Sequence, residues 1–255
     1  MALTDSLIYS YECTEASGNL LDSHSALTAT ETSGTIDSAA GLVNATSRDF
    51  ESGDTEYFER ASETALQAGD IECTWEVWVY LESTGSQQTA LGKTGGSNFE
   101  YDIQARTDAG GVFSARVASA AGFSGLTTFQ FDSLGTPTTA TWYQLIVWHD
   151  PTGNTIKRRG NNGAVDSTAW TGGIYVGTDS LRVGNNAYGE YLDGRLGPVR
   201  YWKRILTAGE QDSLWNAGSG LPYASLAGGG GGGPVGPLAG SRLTISALTG
   251  GRLLG

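Results

Sequence analysis

The chain has 255 residues, 39% of them apolar and only 16% charged, with 38 glycines, 11 tyrosines and seven tryptophans. That length suits one large β-sandwich or two small domains, and the shortage of charged amphipathic runs argues for strands and turns over a helical bundle. The net charge of −12 is uneven, with 17 acids against 3 Lys/Arg in residues 1–100, and so acidic a body excludes a nucleic-acid partner.

Residues 1–6 (MALTDS) carry neither a basic region nor an apolar core, so no secretory signal is read there. No stretch approaches the roughly 20 apolar residues of a bilayer span, so no membrane partner is expected. Cys13 and Cys73 sit in apolar, strand-like segments, LIYSYEC and IECTWEVWVYL. Both read as buried core thiols, with a Cys13–Cys73 bridge as the alternative. In residues 74–80, Trp75, Val77 and Val79 fall on one side of a strand, and Glu76, Trp78 and Tyr80 on the other. Further strands read at 101–105, 112–117, 142–149, 181–183 and 199–202. Turn signals separate them at Thr94-Gly95-Gly96, Asp108-Ala109-Gly110-Gly111, Asp150-Pro151-Thr152-Gly153 and Asn161-Asn162-Gly163. In the last, the Asn-Gly pair accepts positive φ cheaply. Thr207-Ala208-Gly209-Glu210 is a capping box that opens one short helix, ended at Gly218. The basic run Lys157-Arg158-Arg159 reads as a solvated edge that discourages strand pairing. The whole pattern predicts an all-β, two-sheet antiparallel jelly-roll sandwich over residues 1–223.

After Tyr223 the composition changes. Residues 224–233 read as a linker containing six consecutive glycines, and residues 234–255 as a tail. The tail repeats L-x-G-x-R-L at a spacing of ten residues. Leu238, Arg242 and Leu243 form one copy, and Leu248, Arg252 and Leu253 the other. The tail reads as a docking peptide, with coincidence inside a low-complexity segment as the alternative.

Several segments resemble laminin-G-like domains of the concanavalin-A-like lectin/glucanase superfamily. They are LIYSYECTEASGN at 7–19, AGLVN at 40–44 with RDF at 48–50, TWEVWVY at 74–80, LGK at 91–93, WYQLIVWHD at 142–150, LRVGN at 181–185, DGRL at 193–196, VRYW at 199–202 and LTAGE at 206–210. The resemblance spans about residues 3–223. It implies a sandwich whose glucanase members carry an E-x-D-x-x-E strand, with paired carboxylates flanking the glycosidic bond. No such segment occurs here: Glu72 and Glu76 share a face without a third acid, so no enzyme is expected. The resemblance also makes calcium the expected metal. Thr14 and Gly197 stand where relatives carry acids. That leaves Asp22 and Asp193 as candidate ligands, and the expectation leans against a bound cofactor. The only histidines, His24 and His149, fit no catalytic or zinc spacing.

For sugar binding, loop aromatics beside amides are the chemistry to seek. Trp170, Tyr175, Tyr188 and Tyr191, near Asn185 and Asn186, are the candidates, with simple hairpin packing as the alternative for 188–191. Trp75, Trp78, Trp142, Trp148 and Trp202 read as core. The style of the chain also resembles virion surface proteins of environmental tailed phages. The leading expectation is therefore a non-enzymatic virion surface or decoration protein, made in a host cytoplasm. Its partner would be a protein lattice (capsid, tail or its own copies) held by the C-terminal tail in a multi-copy assembly. The alternative is a lectin-like adhesin for surface glycans.

Overall fold

The computed structural model describes residues 1–106 and 111–228. Its strands are β1 (Leu7–Tyr11), β2 (Thr30–Thr32), β3 (Asp37–Ala40), β4 (Thr46–Phe50), β5 (Tyr57–Arg60), β6 (Cys73–Leu81), β7 (Gln87–Thr94), β8 (Phe99–Arg106), β9 (Val112–Val117), β10 (Thr127–Gln130), β11 (Trp142–Asp150), β12 (Thr155–Gly160), β13 (Val165–Ala169), β14 (Leu181–Val183) and β15 (Gly194–Trp202). The helix α1 (Ala208–Trp215) follows, and a 3-10 turn (Tyr223–Gly228) closes the body. One sheet runs β13-β12-β11-β6-β15-β4-β3, with β1 also on β15; the other runs β10-β9-β8-β7-β14-β5-β2. Neighbouring strands are antiparallel throughout. The fold is the expected two-sheet sandwich, and its first and last strands are neighbours.

Alternation decides what each strand buries. Trp75, Val77 and Val79 of β6 point into the space between the sheets. There the Trp75 ring lies 4.7 Å from Tyr101 of the opposite sheet and 5.2 Å from Tyr201 of β15. Cys13 and Cys73 are buried free thiols in the same core, as the core reading expects, and are not bridged.

The other face of β6 is also buried, because α1 and the segment after it lie on it. Glu210 N–H donates to the Thr207 hydroxyl, and Thr207 N–H donates to the Glu210 carboxylate, so both ends of the capping box are made. Leu206, Leu214 and Leu226 join Leu3, Leu7 and Trp202 in a second apolar cluster. Trp215 stacks on Trp78 at 5.5 Å, with the rings 6° from parallel. Burial of Leu226 carries the body through Gly228, past the boundary at Tyr223 expected from composition.

Under this cover lies a buried ion network. Arg200 of β15 stands opposite Glu76 on β6 and Ser10 on β1, and none of its side chain is exposed. Its guanidinium donates to Glu76 Oε2 at 2.9 Å, Glu12 Oε1 at 2.8 Å, Ser10 Oγ at 3.0 Å and the Leu221 carbonyl at 2.7 Å. Glu76 also accepts from Trp78 Nε1 at 3.0 Å and from Gln144 Nε2 at 2.7 Å. Glu12 accepts from the Tyr223 N–H at 3.0 Å. Burial alone would push the Glu12 carboxyl up. The Arg200 charge, with the Ser10 and Tyr223 donors, reverses that and holds it below the usual carboxylate range. At Glu76 burial wins, and the carboxyl is pushed up despite Arg200.

Two local expectations are corrected. Asn161 and Asn162 both have positive φ, 46° and 55°, and the Gly163 N–H donates to the Gly160 carbonyl at 2.8 Å. The turn therefore centres on Asn161-Asn162, one residue before the Asn-Gly pair, since asparagine also tolerates the left-handed region. Lys157-Arg158-Arg159 lies on β12, an interior strand between β11 and β13, and is no edge. Arg158 is buried and donates to the Gln130 carbonyl at 2.6 Å and Thr168 Oγ1 at 2.8 Å. The turn signal at 108–111 falls largely on residues 107–110, outside the described residues.

Arg200→Ala strands two buried carboxylates and is expected to cost about 3–5 kcal/mol in urea unfolding. Adding Glu12→Gln and Glu76→Gln to it should recover part of that loss. An Arg200→Ala protein as stable as the parent would show the network to be inert.

Candidate functional site

Three loops gather where β7 turns to β8, β9 to β10 and β13 to β14. Phe99 N–H donates to the Gly122 carbonyl at 3.1 Å, Gly122 N–H to Asn98 Oδ1 at 3.1 Å, and Tyr175 N–H to the Ala118 carbonyl at 2.8 Å. Glycine permits the close approach of 118–126 to 170–173. A Cβ on Gly172 would stand 2.7 Å from Ser119 Cβ and 3.2 Å from the Trp170 ring. Gly125, at φ +67°, would put a Cβ 2.0 Å from Ser119 Oγ.

Between these loops opens a cleft of ≈ 360 Å³, lined by Ser119, Gly125, Thr127, Ala169, Trp170, Thr171 and Gly172. Trp170 is half-buried and held in place on two sides. Its indole N–H donates to the Gly173 carbonyl at 2.8 Å, and its ring meets Phe129 at 5.6 Å, nearly perpendicular at 89°. The indole is thus a fixed platform beside hydroxyl groups, with no charged side chain in the lining. A larger cleft of ≈ 410 Å³ lies against Leu7, Ile8 and Leu27; apart from His24 its lining holds no aromatic ring, and its Arg60 and Glu63 pair with each other.

Across loop 118–126 lies a second aromatic surface. Phe123 is 53% exposed and packs 5.2 Å from Tyr188 and 6.3 Å from the buried Phe99. Tyr188 stacks on Phe99 at 6.2 Å, and its hydroxyl sits 2.7 Å and 2.8 Å from the carbonyls of Gly95 and Asn98. Beneath them Arg116 donates to Asp102 Oδ1 at 3.0 Å and to Glu190 Oε2 at 2.7 Å. Burial pushes the Asp102 carboxyl up, although Arg116 opposes it.

The structure gathers some of the sequence candidates and separates others. Trp170 and Tyr175 lie on the gathered loops, and Tyr188, on the β14–β15 connection, packs against them. Asn185 and Asn186 are buried, and Asn186 Nδ2 donates to Thr89 Oγ1 at 3.0 Å. Tyr191 packs away from the cleft, 6.3 Å from Tyr57. Phe123, Ser119, Thr127 and Thr171 are additions. A phenylalanine between glycines, in Gly122-Phe123-Ser124-Gly125, was the available sign of an exposed aromatic. Trp75, Trp78, Trp148 and Trp202 are core as expected, while Trp142 is half-buried.

Asp22 and Asp193 do not form a metal site together. Asp22 accepts from the Ser10 N–H at 2.9 Å, the His24 N–H at 2.9 Å, the Leu27 N–H at 3.3 Å and the Ser25 hydroxyl. Its oxygens are occupied in tying a loop to β1, opposite Arg200. Asp193 precedes the other end of β15 and accepts from Ser52. Among the described residues no group of three His, Cys, Asp or Glu is placed to hold a metal. His149 is buried with Nδ1 2.9 Å from the Ile71 carbonyl, and burial pushes its pKa down. The docking residues Leu238, Arg242, Leu243, Leu248, Arg252 and Leu253 lie outside the described residues.

A laminin-G-type family model, described as concanavalin A-like lectin/glucanases superfamily, matches residues 52–210. The chain belongs to this family. No curated protein matches the chain by sequence. Among solved structures, this lectin/glucanase-type sandwich is similar to domain 4 of AbnA, a GH43 extracellular arabinanase from Geobacillus stearothermophilus, in complex with arabinotriose. The TM-score is 0.62 at 16% identity, covering 80% of this chain and 96% of that one. It is similar to the binding domain of Paraclostridial Mosquitocidal Protein 1, with TM-score 0.65, 12% identity, and coverage of 84% and 53%. It is also similar to the botulinum neurotoxin serotype D ligand binding domain in complex with N-acetylneuraminic acid, with TM-score 0.62, 12% identity, and coverage of 84% and 51%. The chain spans about half of each toxin domain, and the toxin neighbours are binding domains, not catalytic ones.

Asp22→Ala leaves three backbone N–H groups without their acceptor and is expected to cost about 1–3 kcal/mol. The loss of melting temperature should be the same with calcium or with a chelator. A calcium-dependent gain in the parent that disappears in Asp22→Ala would make Asp22 a ligand after all.

Proposed function

We propose that the protein is a non-catalytic carbohydrate-binding domain that meets glycans at the Trp170 rim. The observation that carries this reading is the immobilised, half-exposed indole beside the hydroxyls of Ser119, Thr127 and Thr171. The apolar C–H face of a sugar ring stacks on such a platform, and hydroxyl pairs supply orientation. A ring already fixed before binding loses little entropy on complex formation. The structural neighbours that carry arabinotriose and N-acetylneuraminic acid support a glycan partner over a purely decorative role. Hydrolysis calls for two carboxyl groups flanking a bound sugar. The cleft lining holds none, and Glu76 is sealed under α1 by Arg200.

In this reading residues 234–255 tether the domain to a particle, a virion surface being one, or to further copies. On a glycan array and in calorimetric titration, Trp170→Ala should weaken binding at least about tenfold, or about 1.4 kcal/mol, at a temperature where circular dichroism shows the variant still folded. Undiminished binding by Trp170→Ala would remove the site. A chain ending at residue 228 should keep glycan binding and lose attachment to its assembly; equal assembly with and without the tail would make the tail a passive extension.

A further inference from the structure

We propose that the Trp170 cleft selects neutral glycans and discriminates against those bearing a carboxylate or sulfate; this rests on the carbohydrate reading above. The fold alone does not decide the matter, since one similar structure holds neutral arabinotriose and another the acidic N-acetylneuraminic acid. The local charge decides it.

An anionic sugar that leaves water for a cleft needs a cation or a set of dedicated donors to replace its hydration. The lining offers neither. Ser119, Thr127 and Thr171 each donate one hydrogen and also accept, which suits sugar hydroxyls that do the same. A carboxylate only accepts, so half of that capacity is lost on it.

Three basic side chains on strands around the rim are already committed. Lys93 on β7 pairs with the buried Glu100 and bonds Ser62. Arg116 on β9 is held by Asp102 and Glu190. Arg158 on β12 spends its donors on the Gln130 carbonyl and Thr168. Releasing any of them to a ligand would strand a buried acceptor, which costs more than a surface contact returns. The acids near the rim lean the other way. Asp70 packs against Gly173, where a Cβ would stand 3.0 Å from its own Cβ, and its side chain is 72% exposed. Asp179 lies against Gly95. Both acids lie beside the rim and oppose the approach of an anion, while the lining itself carries no charge.

The test compares matched pairs that share a core: lactose with sialyl-lactose, and xylo-oligosaccharides with and without a glucuronate branch. The full chain and its Trp170→Ala and Thr171→Lys variants are titrated at low and high salt. The expected result is that each acidic glycan binds about tenfold or more weakly than its neutral parent, with the gap narrowing as salt screens the field. Thr171 is exposed on its loop, so Thr171→Lys should fold normally and narrow or reverse the preference. Acidic glycans that bind as tightly as their parents, with both lost in Trp170→Ala, would overturn the selectivity and leave the site standing. Binding that survives Trp170→Ala, or the absence of binding to every neutral glycan, would overturn the site and the selectivity together.

Discussion

The structure depends on a guanidinium that no water reaches. Arg200 of β15 is the point where β1, β6 and the chain after α1 meet, because they supply its acceptors: Ser10 with Glu12 just beyond β1, Glu76, and the Leu221 carbonyl. A buried charge of this kind adds little net stability over apolar packing, but it punishes every arrangement that leaves it unpaired. Slipping β15 by one residue against β6 would turn Arg200 into the core and Tyr201 out of it. The network thus fixes register, and it holds the helical segment down over one outer face of the sandwich.

With that face closed, the proposed glycan site falls to the loops. The rim owes its shape to small residues. Gly172 lets two loops touch at Ser119, and Gly125 lets loop 118–126 fold back on that same serine. The Trp170 indole is then pinned by a carbonyl on one side and Phe129 on the other. A rigid scaffold presenting preset loop side chains is the general arrangement for binding domains. On the neighbouring sheet the same economy places Arg116, Asp102, Glu190 and Asn186 in one satisfied network that braces the loop carrying Tyr188. The charged groups here serve as masonry, and the aromatic and hydroxyl groups meet the outside.

Much of the scaffold was legible in the sequence because it obeys local rules. The alternation of Trp75, Val77 and Val79 announced β6, and Thr207 with Glu210 announced α1. Other strands carry no such signal: β2, β3 and β13 read TET, DSAA and VDSTA, are largely exposed, and exist because a neighbouring strand offers its ladder. The charged core was illegible for a different reason. Arg158 looks like a surface residue until β10 and β13 are brought beside it, and Asn186 looks like a loop amide until Thr89, 97 positions away, takes its hydrogen bond. At the rim, Trp170, Tyr175 and Tyr188 stood out as aromatics in turn-rich segments. Sequence spacing could not tell that Tyr191 faces Tyr57, or that Phe123 would join them.

The small cluster under α1 has a consequence for how this body can be carried. Leu3 and Leu226 sit in it together, and the Trp202 indole N–H reaches the Leu3 carbonyl at 2.6 Å. The polypeptide enters and leaves the sandwich through one patch. Such a body behaves as a plug: it can be spliced into an exposed loop of a host protein with little stretching of either, or strung in tandem like beads. Its two ends can equally be joined and new ones opened at the Asn161-Asn162 turn, a circular permutation that leaves every strand pairing in place.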